Sequence, residues 1–477
     1  MGRALLAIAC AACVVWVSGA EGDSHHVLST VEIDGVPHVT QEPDFCGEAC
    51  VAMWANHLGK SYDQDDVFAA TGLDPALGRG AYTPELVRAV QALGFRPPNV
   101  YTLVDEAHPQ PALDRELAAL HADLERGVPS IVCMHYDDRP HTTEHFRLVL
   151  GYDGDRDEIV YQEPAEDDGA YRRMSRTLFE KLWQLPSSTA GKKVLVRIPL
   201  VSGKLAEPAH DATRAQYTQH VMALREQLAA KGLRGMSVRI EPPFVVVGDA
   251  GDATLARDAR TVRWAADHLE HDFFAARPSQ ILDIYLFHGD ASYRRGVKLL
   301  TSEAPDTPYG FYSPDARGLF MNISTGGGTL VHEIVHPYVE ADFPEAPAWL
   351  NEGLGSLFEQ SAEQGGHIVG LTNWRLAGLQ RALARGDVPS FRALTALDPH
   401  AFYADDSGVH YAESRYLLYY LQQKGELRAF YRAARAARAK DPTGYAALVA
   451  TLAKLGEHDT DAFRPKWEAF VNALTFP

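Results

Sequence analysis

His332-Glu333-Ile334-Val335-His336 sets two histidines four residues apart. On a helix that spacing puts both imidazoles on one face, one turn apart, where together they can grip one metal ion. Glu333 stands beside them, able to take a proton from an attacking water. Trp349-Leu350-Asn351-Glu352-Gly353 follows, and Glu352 can bring a carboxylate from a second helix as the third ligand. Three protein ligands and one open position describe a catalytic zinc site; a structural site fills all four positions with protein. Leu330, Val331, Ile334 and Val335 make the helix largely apolar, so its polar side chains are costly without a partner. The expected cofactor is Zn2+ and the expected chemistry is hydrolysis, foremost of peptide bonds.

A second constellation lies near the other end, in Gln41-Glu42-Pro43-Asp44-Phe45-Cys46-Gly47-Glu48-Ala49. A thiol at the start of a helix feels the positive helix end, which favours thiolate. Gln41, five residues earlier, can aim its amide at an oxyanion. A base and an orienting acid are then required. His145 stands at the head of an apolar β-rich run, and Glu163-Pro164 follows the next one.

The elements that must position these groups fall into two globular halves with an α+β pattern. The first half, 27–200, opens with short strands and a helix starting near Cys46. A second helix is capped by Thr83 with Pro84 in its first position, and Leu86, Val87, Val90 and Leu93 form its apolar stripe. A helix around Leu113 to Glu125 precedes strands at 129–134, 146–152, 158–161 and 193–199. A short polar stretch, 201–208, reads as a linker. The second half, 209–475, begins with a helix from Asp211 to about Lys231. It continues with a strand at 244–247, a helix from Thr254 to Phe274, a strand at 281–286, the metal-motif helix and further helices.

With these motifs in place, two resemblances emerge. Residues from about Phe244 to Phe470 resemble a gluzincin, a thermolysin- or aminopeptidase-like metallopeptidase domain. The resemblance makes His332, His336 and Glu352 the zinc ligands and Glu333 the general base. It implies a tyrosine that stabilises the oxyanion, with Tyr411 in His410-Tyr411-Ala412-Glu413-Ser414 the candidate and Tyr416 the second choice. This chain lacks the Gly-x-Met-Glu-Asn motif of the aminopeptidases, and Phe320-Met321-Asn322 only echoes it. Endopeptidase action or a dedicated substrate is equally open. The stretch from Val36 to Leu185 resembles the papain-like cysteine peptidases that process bacteriocin leader peptides at double-glycine sites. By that resemblance Cys46 is the nucleophile, His145 the base and Gln41 the oxyanion donor. Glu163 stands where the family has an aspartate before proline.

The 477-residue length and 46% hydrophobic content fit two or three domains with sizeable cores. A formal net charge of −18 argues against nucleic acid or an anionic membrane as a partner. The expected partner is a peptide or protein substrate; the sequence leaves the oligomeric state open. Residues 1–20 read as a secretory signal: Arg3, an apolar run from Ala4 to Val17, then Ser18-Gly19-Ala20 for cleavage. An exported (secreted or periplasmic) mature chain with no transmembrane segment is expected, and a lipoprotein modified at Cys10 or Cys13 is the alternative. Cys46, Cys50 and Cys133 remain after cleavage, with Cys50 and Cys133 either bridged or two buried thiols. His25 and His26 read as a solvated tail. Two other functions stay open: the first half as an inactive module that holds a peptide or partner for the zinc half, and hydrolysis of a cell-wall amide.

Overall fold

The computed structural model describes residues 28–404 and 407–476. The expected signal segment 1–20, Cys10, Cys13 and the His25-His26 pair lie outside the described residues. The chain divides into two compact α+β units. The first holds residues up to Thr71 and Ala81–Ala209; the second holds Gly72–Gly80 and the rest from His210.

Thirteen elements build the first unit: β1 (Val31–Glu32), α1 (Cys46–His57), α2 (Gln64–Thr71), α3 (Thr83–Leu93), β2 (Tyr101–Asp105), α4 (Gln110–Glu125), β3 (Ser130–His135), β4 (Glu144–Asp153), β5 (Glu158–Gln162), β6 (Arg172–Ser175), α5 (Arg176–Trp183), β7 (Leu185–Pro186) and β8 (Lys192–Pro199). The sheet runs β2-β8-β3-β4-β5-β6, with β1 on β4 and β7 on β8. Every pairing is antiparallel. Alternation along the strands feeds two cores. Ile131, Cys133, Phe146, Leu148 and Leu150 pack with α1 and α3 on one face. Val132, Met134 and Val149 pack with α4 and α5 on the other. Buried on both faces, β3 and β4 read as nearly unbroken apolar runs.

Three expectations change here. Tyr82, not Thr83, is the N-cap of α3, and its backbone N–H donates to the Glu85 carboxylate at 3.1 Å. The stretch 201–208 is pinned to the first unit: Gly203 N–H donates to the Gly94 carbonyl at 3.1 Å and Ala206 N–H to that of Leu93 at 3.0 Å. Its backbone donors find partners on the end of α3, so it does not run free as a linker. Residues 72–80, read as part of the first half, belong to the second unit, where the Ala76 carbonyl accepts from Arg225 at 3.1 Å.

The second unit continues with α6 (Thr213–Ala230), β9 (Ser237–Glu241), β10 (Phe244–Gly248), α7 (Asp252–Asp272), β11 (Leu282–Phe287), α8 (Asp290–Thr301), β12 (Gly310–Ser313), β13 (Gly318–Asn322), α9 (Gly327–Asp342), α10 (Ala348–Phe358) and the hairpin β14 (Ser361–Gln364) and β15 (His367–Gly370). Seven helices follow: α11 (Arg375–Arg385), α12 (Phe391–Thr395), α13 (Pro399–Tyr403), α14 (Val409–Gln423), α15 (Leu427–Ala437), α16 (Tyr445–Lys454) and α17 (Thr460–Ala473). The sheet order is β12-β13-β11-β10-β9, parallel through β10, β11 and β13 and antiparallel at both edges. Helical crossovers α7 and α8 make the parallel pairings possible. Phe244, Val246, Ile284 and Met321 face α7 and α9. Val245, Val247, Tyr285 and Phe320 face α6 and α8. Among the described residues no helix is long and apolar enough to cross a membrane.

Trp349 anchors α10 in this core. It is 1% exposed, its indole N–H donates to the Thr443 carbonyl at 2.8 Å, and its ring lies 5.9 Å from that of Phe430. Trp349→Ala is expected to destabilise the unit by about 3–5 kcal/mol. A urea midpoint lowered without a change in slope would register it.

Candidate active sites

In the first unit, β4 carries His145 into the interior at its head, with Arg147 two residues on and so on the same face. His145 Nε2 lies 2.5 Å from Glu163 Oε1. The other carboxylate oxygen accepts from Arg147 Nε at 2.6 Å, and Ala165 N–H donates to Oε1 at 3.2 Å. Burial alone would raise the Glu163 carboxyl, yet His145 and Arg147 hold it below the usual glutamate range. An ionised Glu163 only accepts, so His145 Nε2 is the donor and Nδ1 is the nitrogen left to take a proton.

Cys46 opens α1 as its first residue, half-buried. Its sulfur accepts the backbone N–H of Phe146, the residue after His145, and that of Gly47. Burial, aided by the carboxylates of Glu48 and Asp44, pushes the thiol up to about 12 against those two N–H groups. Desolvation thus opposes the thiolate that the helix start favours. Gln41 is tied to the acid through its backbone N–H, which donates to the Pro164 carbonyl at 2.8 Å, and its Oε1 is buried. Cys50 and Cys133 are buried free thiols with no bridge between them.

In the second unit, α9 and α10 bring the expected ligands together. His332 Nε2 lies 3.2 Å from Glu352 Oε2, and His336 Nε2 lies 3.8 Å from that same oxygen. Ligands about 2.0–2.1 Å from a tetrahedral metal sit roughly 3.3 Å from one another, so this donor set fits zinc. His336 Nδ1 is 3.0 Å from Asn351 Oδ1, and with Nδ1 as the donor Nε2 is left with its lone pair toward Glu352. Glu333 Oε2 lies 3.7 Å from His336 Nε2. Burial pushes Glu333 up to about 8, opposed by His336 and helped by Glu352. Burial would raise Glu352 too, but His336, His332 and the Tyr403 hydroxyl hold it down at about 2. All four groups line one cavity of about 990 Å³, with β12 along one side and Tyr403 and Tyr411 among its other walls. The packing is tight: a Cβ on Gly355 of α10 would lie 3.0 Å from His332 Cδ2 and Nε2. Glycine at this position lets α10 approach the first ligand closely.

Tyr411 lies with the Arg375 guanidinium 5.3 Å from its ring centroid. Tyr416, the second choice, is buried away from the chemistry, and its hydroxyl accepts the Asn373 N–H at 3.1 Å. Sequence reasoning missed Tyr403, whose hydroxyl donates to Glu352 Oε1 at 2.9 Å. It missed Arg147 as well. Glu359, seven residues beyond Glu352, also lines the cavity; it accepts from Arg375 Nε at 3.0 Å and electrostatically faces His332.

Residues 33–190 match the model of a family described as the Peptidase_C39 like family. Apart from residues 72–80, the match lies within the first unit, and it spans less than half of the chain. No curated protein matches the chain. Among solved structures, the peptidase domain of Streptococcus ComA, a bifunctional ABC transporter of a quorum-sensing pathway, is similar at 17% identity. That alignment covers 35% of this chain and 99% of that one, with a TM-score of 0.23.

Proposed function

We propose that this is an exported protein with two peptide-hydrolysing sites, a thiol site at Cys46 and a zinc site at His332, His336 and Glu352. The observation that carries the zinc half is the convergence of two imidazole nitrogens on one carboxylate oxygen, 3.2 and 3.8 Å away, beside a buried Glu333 in a large cavity.

His332, His336 and Glu352 would hold a zinc ion, which when bound would supply Lewis-acid polarisation of the scissile carbonyl and of an attacking water. Glu333 takes the proton of the attacking water and hands it to the leaving amine. Tyr403 donates to Oε1 of Glu352, and Tyr411, which lines the cavity, is the donor to the developing oxyanion in this reading.

At the thiol site His145 Nδ1 takes the Cys46 proton as sulfur attacks the carbonyl. The amine leaves with that proton, and water then hydrolyses the thioester. Because the thiol rests protonated, His145 works as a base during attack rather than as half of a standing ion pair. Gln41 supplies the oxyanion donor in this reading.

A second reading, in which the first unit only holds a peptide or partner for the second, is favoured by the high resting pKa of Cys46. Digestion of an unbiased peptide library by the mature protein, with chelator or with a thiol alkylator, separates the two. Two product sets, one lost with each reagent, are expected. Loss with chelator alone would leave the first unit as a binding module. No cleavage by zinc-loaded protein would sink the peptide assignment and turn attention to cell-wall amides.

A further inference from the structure

Arg147 is an arginine inside a strand buried on both faces, and such a charge is tolerated only with partners. It has a full set. Nε donates to Glu163 Oε2 at 2.6 Å, Nη1 to the His135 carbonyl at 3.2 Å and Nη2 to the Tyr136 carbonyl at 2.8 Å. The guanidinium also lies 5.4 and 5.6 Å from the ring centroids of Tyr136 and Tyr161. Tyr136 meets the His145 ring edge-on, 5.1 Å between centroids.

We infer that Arg147 is a positioning residue of the thiol site: it clamps the second oxygen of Glu163 so that the first stays on His145 Nε2. The inference rests on the thiol-peptidase reading of Cys46 and His145. A glutamate has one more rotatable bond than an aspartate, and an unclamped carboxylate would swing away from the imidazole at little cost. Arg147 removes that freedom with a guanidinium that is itself held by two backbone carbonyls, so the chain His135/Tyr136–Arg147–Glu163–His145 is rigid end to end. The titratable and charged groups around this chain are Glu163, Tyr136, Tyr161 and Cys50, with Glu166 hydrogen-bonded to Tyr136, Arg172 beside Tyr161, and Glu48 and Asp44 acting on the thiol itself.

The test is the rate of Cys46 alkylation by iodoacetamide in the full-length protein, followed by mass spectrometry from acid to alkaline pH. It needs no knowledge of the substrate. The native profile is expected to show an acidic limb that His145→Ala abolishes. Arg147→Gln should slow alkylation at neutral pH by about 10–100-fold, the scale of a misplaced catalytic group. Arg147→Lys, which keeps the charge but not the fork, should restore only part of the rate. A native alkylation rate in folded Arg147→Gln, with His145 dependence intact, overturns this inference alone. A native profile indifferent to His145→Ala overturns the thiol-site reading and this inference with it. Should Arg147→Gln fail to fold, Arg147→Lys decides: a rate equal to native overturns the clamp, since an ammonium cannot hold the carboxylate and both carbonyls in one plane.

Discussion

Glu333→Gln is expected to cut chelator-sensitive peptide hydrolysis by about 10²–10⁴-fold, or roughly 3–5 kcal/mol of barrier. Glutamine keeps the shape and burial of the side chain but cannot accept and return a proton. The ligand atoms of His332, His336 and Glu352 are untouched, so the variant should still bind one zinc per chain. Metal analysis and turnover on the same preparation check both halves of the claim. Retained zinc with lost turnover fits Glu333 as the base. Unchanged turnover would remove it from the chemistry. Lost zinc would make its role structural.

Cys46→Ala is expected to abolish the alkylator-sensitive products, by at least about 10³-fold, because no other group can form the covalent intermediate. The chelator-sensitive products should be unaffected, since their chemistry lies wholly in α9, α10 and the cavity walls around them. Quantifying both product sets from one digest measures the two effects together. Cys50 and Cys133 are buried thiols and are not expected to substitute. If Cys46→Ala leaves every product in place, the first unit is a binding module.

The clustering of His332, Glu333, His336 and Glu352 was legible because its signal is local. Two histidines one turn apart on an otherwise apolar helix have few readings, and the helix that follows brings Glu352 to them. The papain-like half was legible for a related reason: Cys46 begins α1, and His145 and Glu163 sit at the ends of adjoining strands. Tyr403 was hidden because no spacing rule ties a tyrosine to a carboxylate 51 positions away. The hint was Asp398-Pro399, an N-cap and first-turn proline opening a short helix that ends on an aromatic pair. Arg147 carried a signal that went unread: an arginine inside Phe146-Arg147-Leu148-Val149-Leu150 must find a buried anion. The protonation state of Cys46 depends on burial, which sequence position does not reveal.

The strand β12 ends its sheet, pairs only with β13, and lends Gly310, Phe311 and Tyr312 to the cavity wall. The Tyr312 backbone of this edge strand is hydrogen-bonded to the Glu333 carboxylate, and an added strand could pair only with its remaining outer backbone groups. A segment that docks there must already be extended, and a helix or a paired strand cannot offer its backbone. The zinc site would then choose among proteins less by side chain than by how often a stretch of the target comes undone. Cutting of a folded target would follow the population of its locally opened form, as proteolysis does when opening and closing outpace cleavage. The stability of the victim, rather than the sequence around the cut, would set the rate.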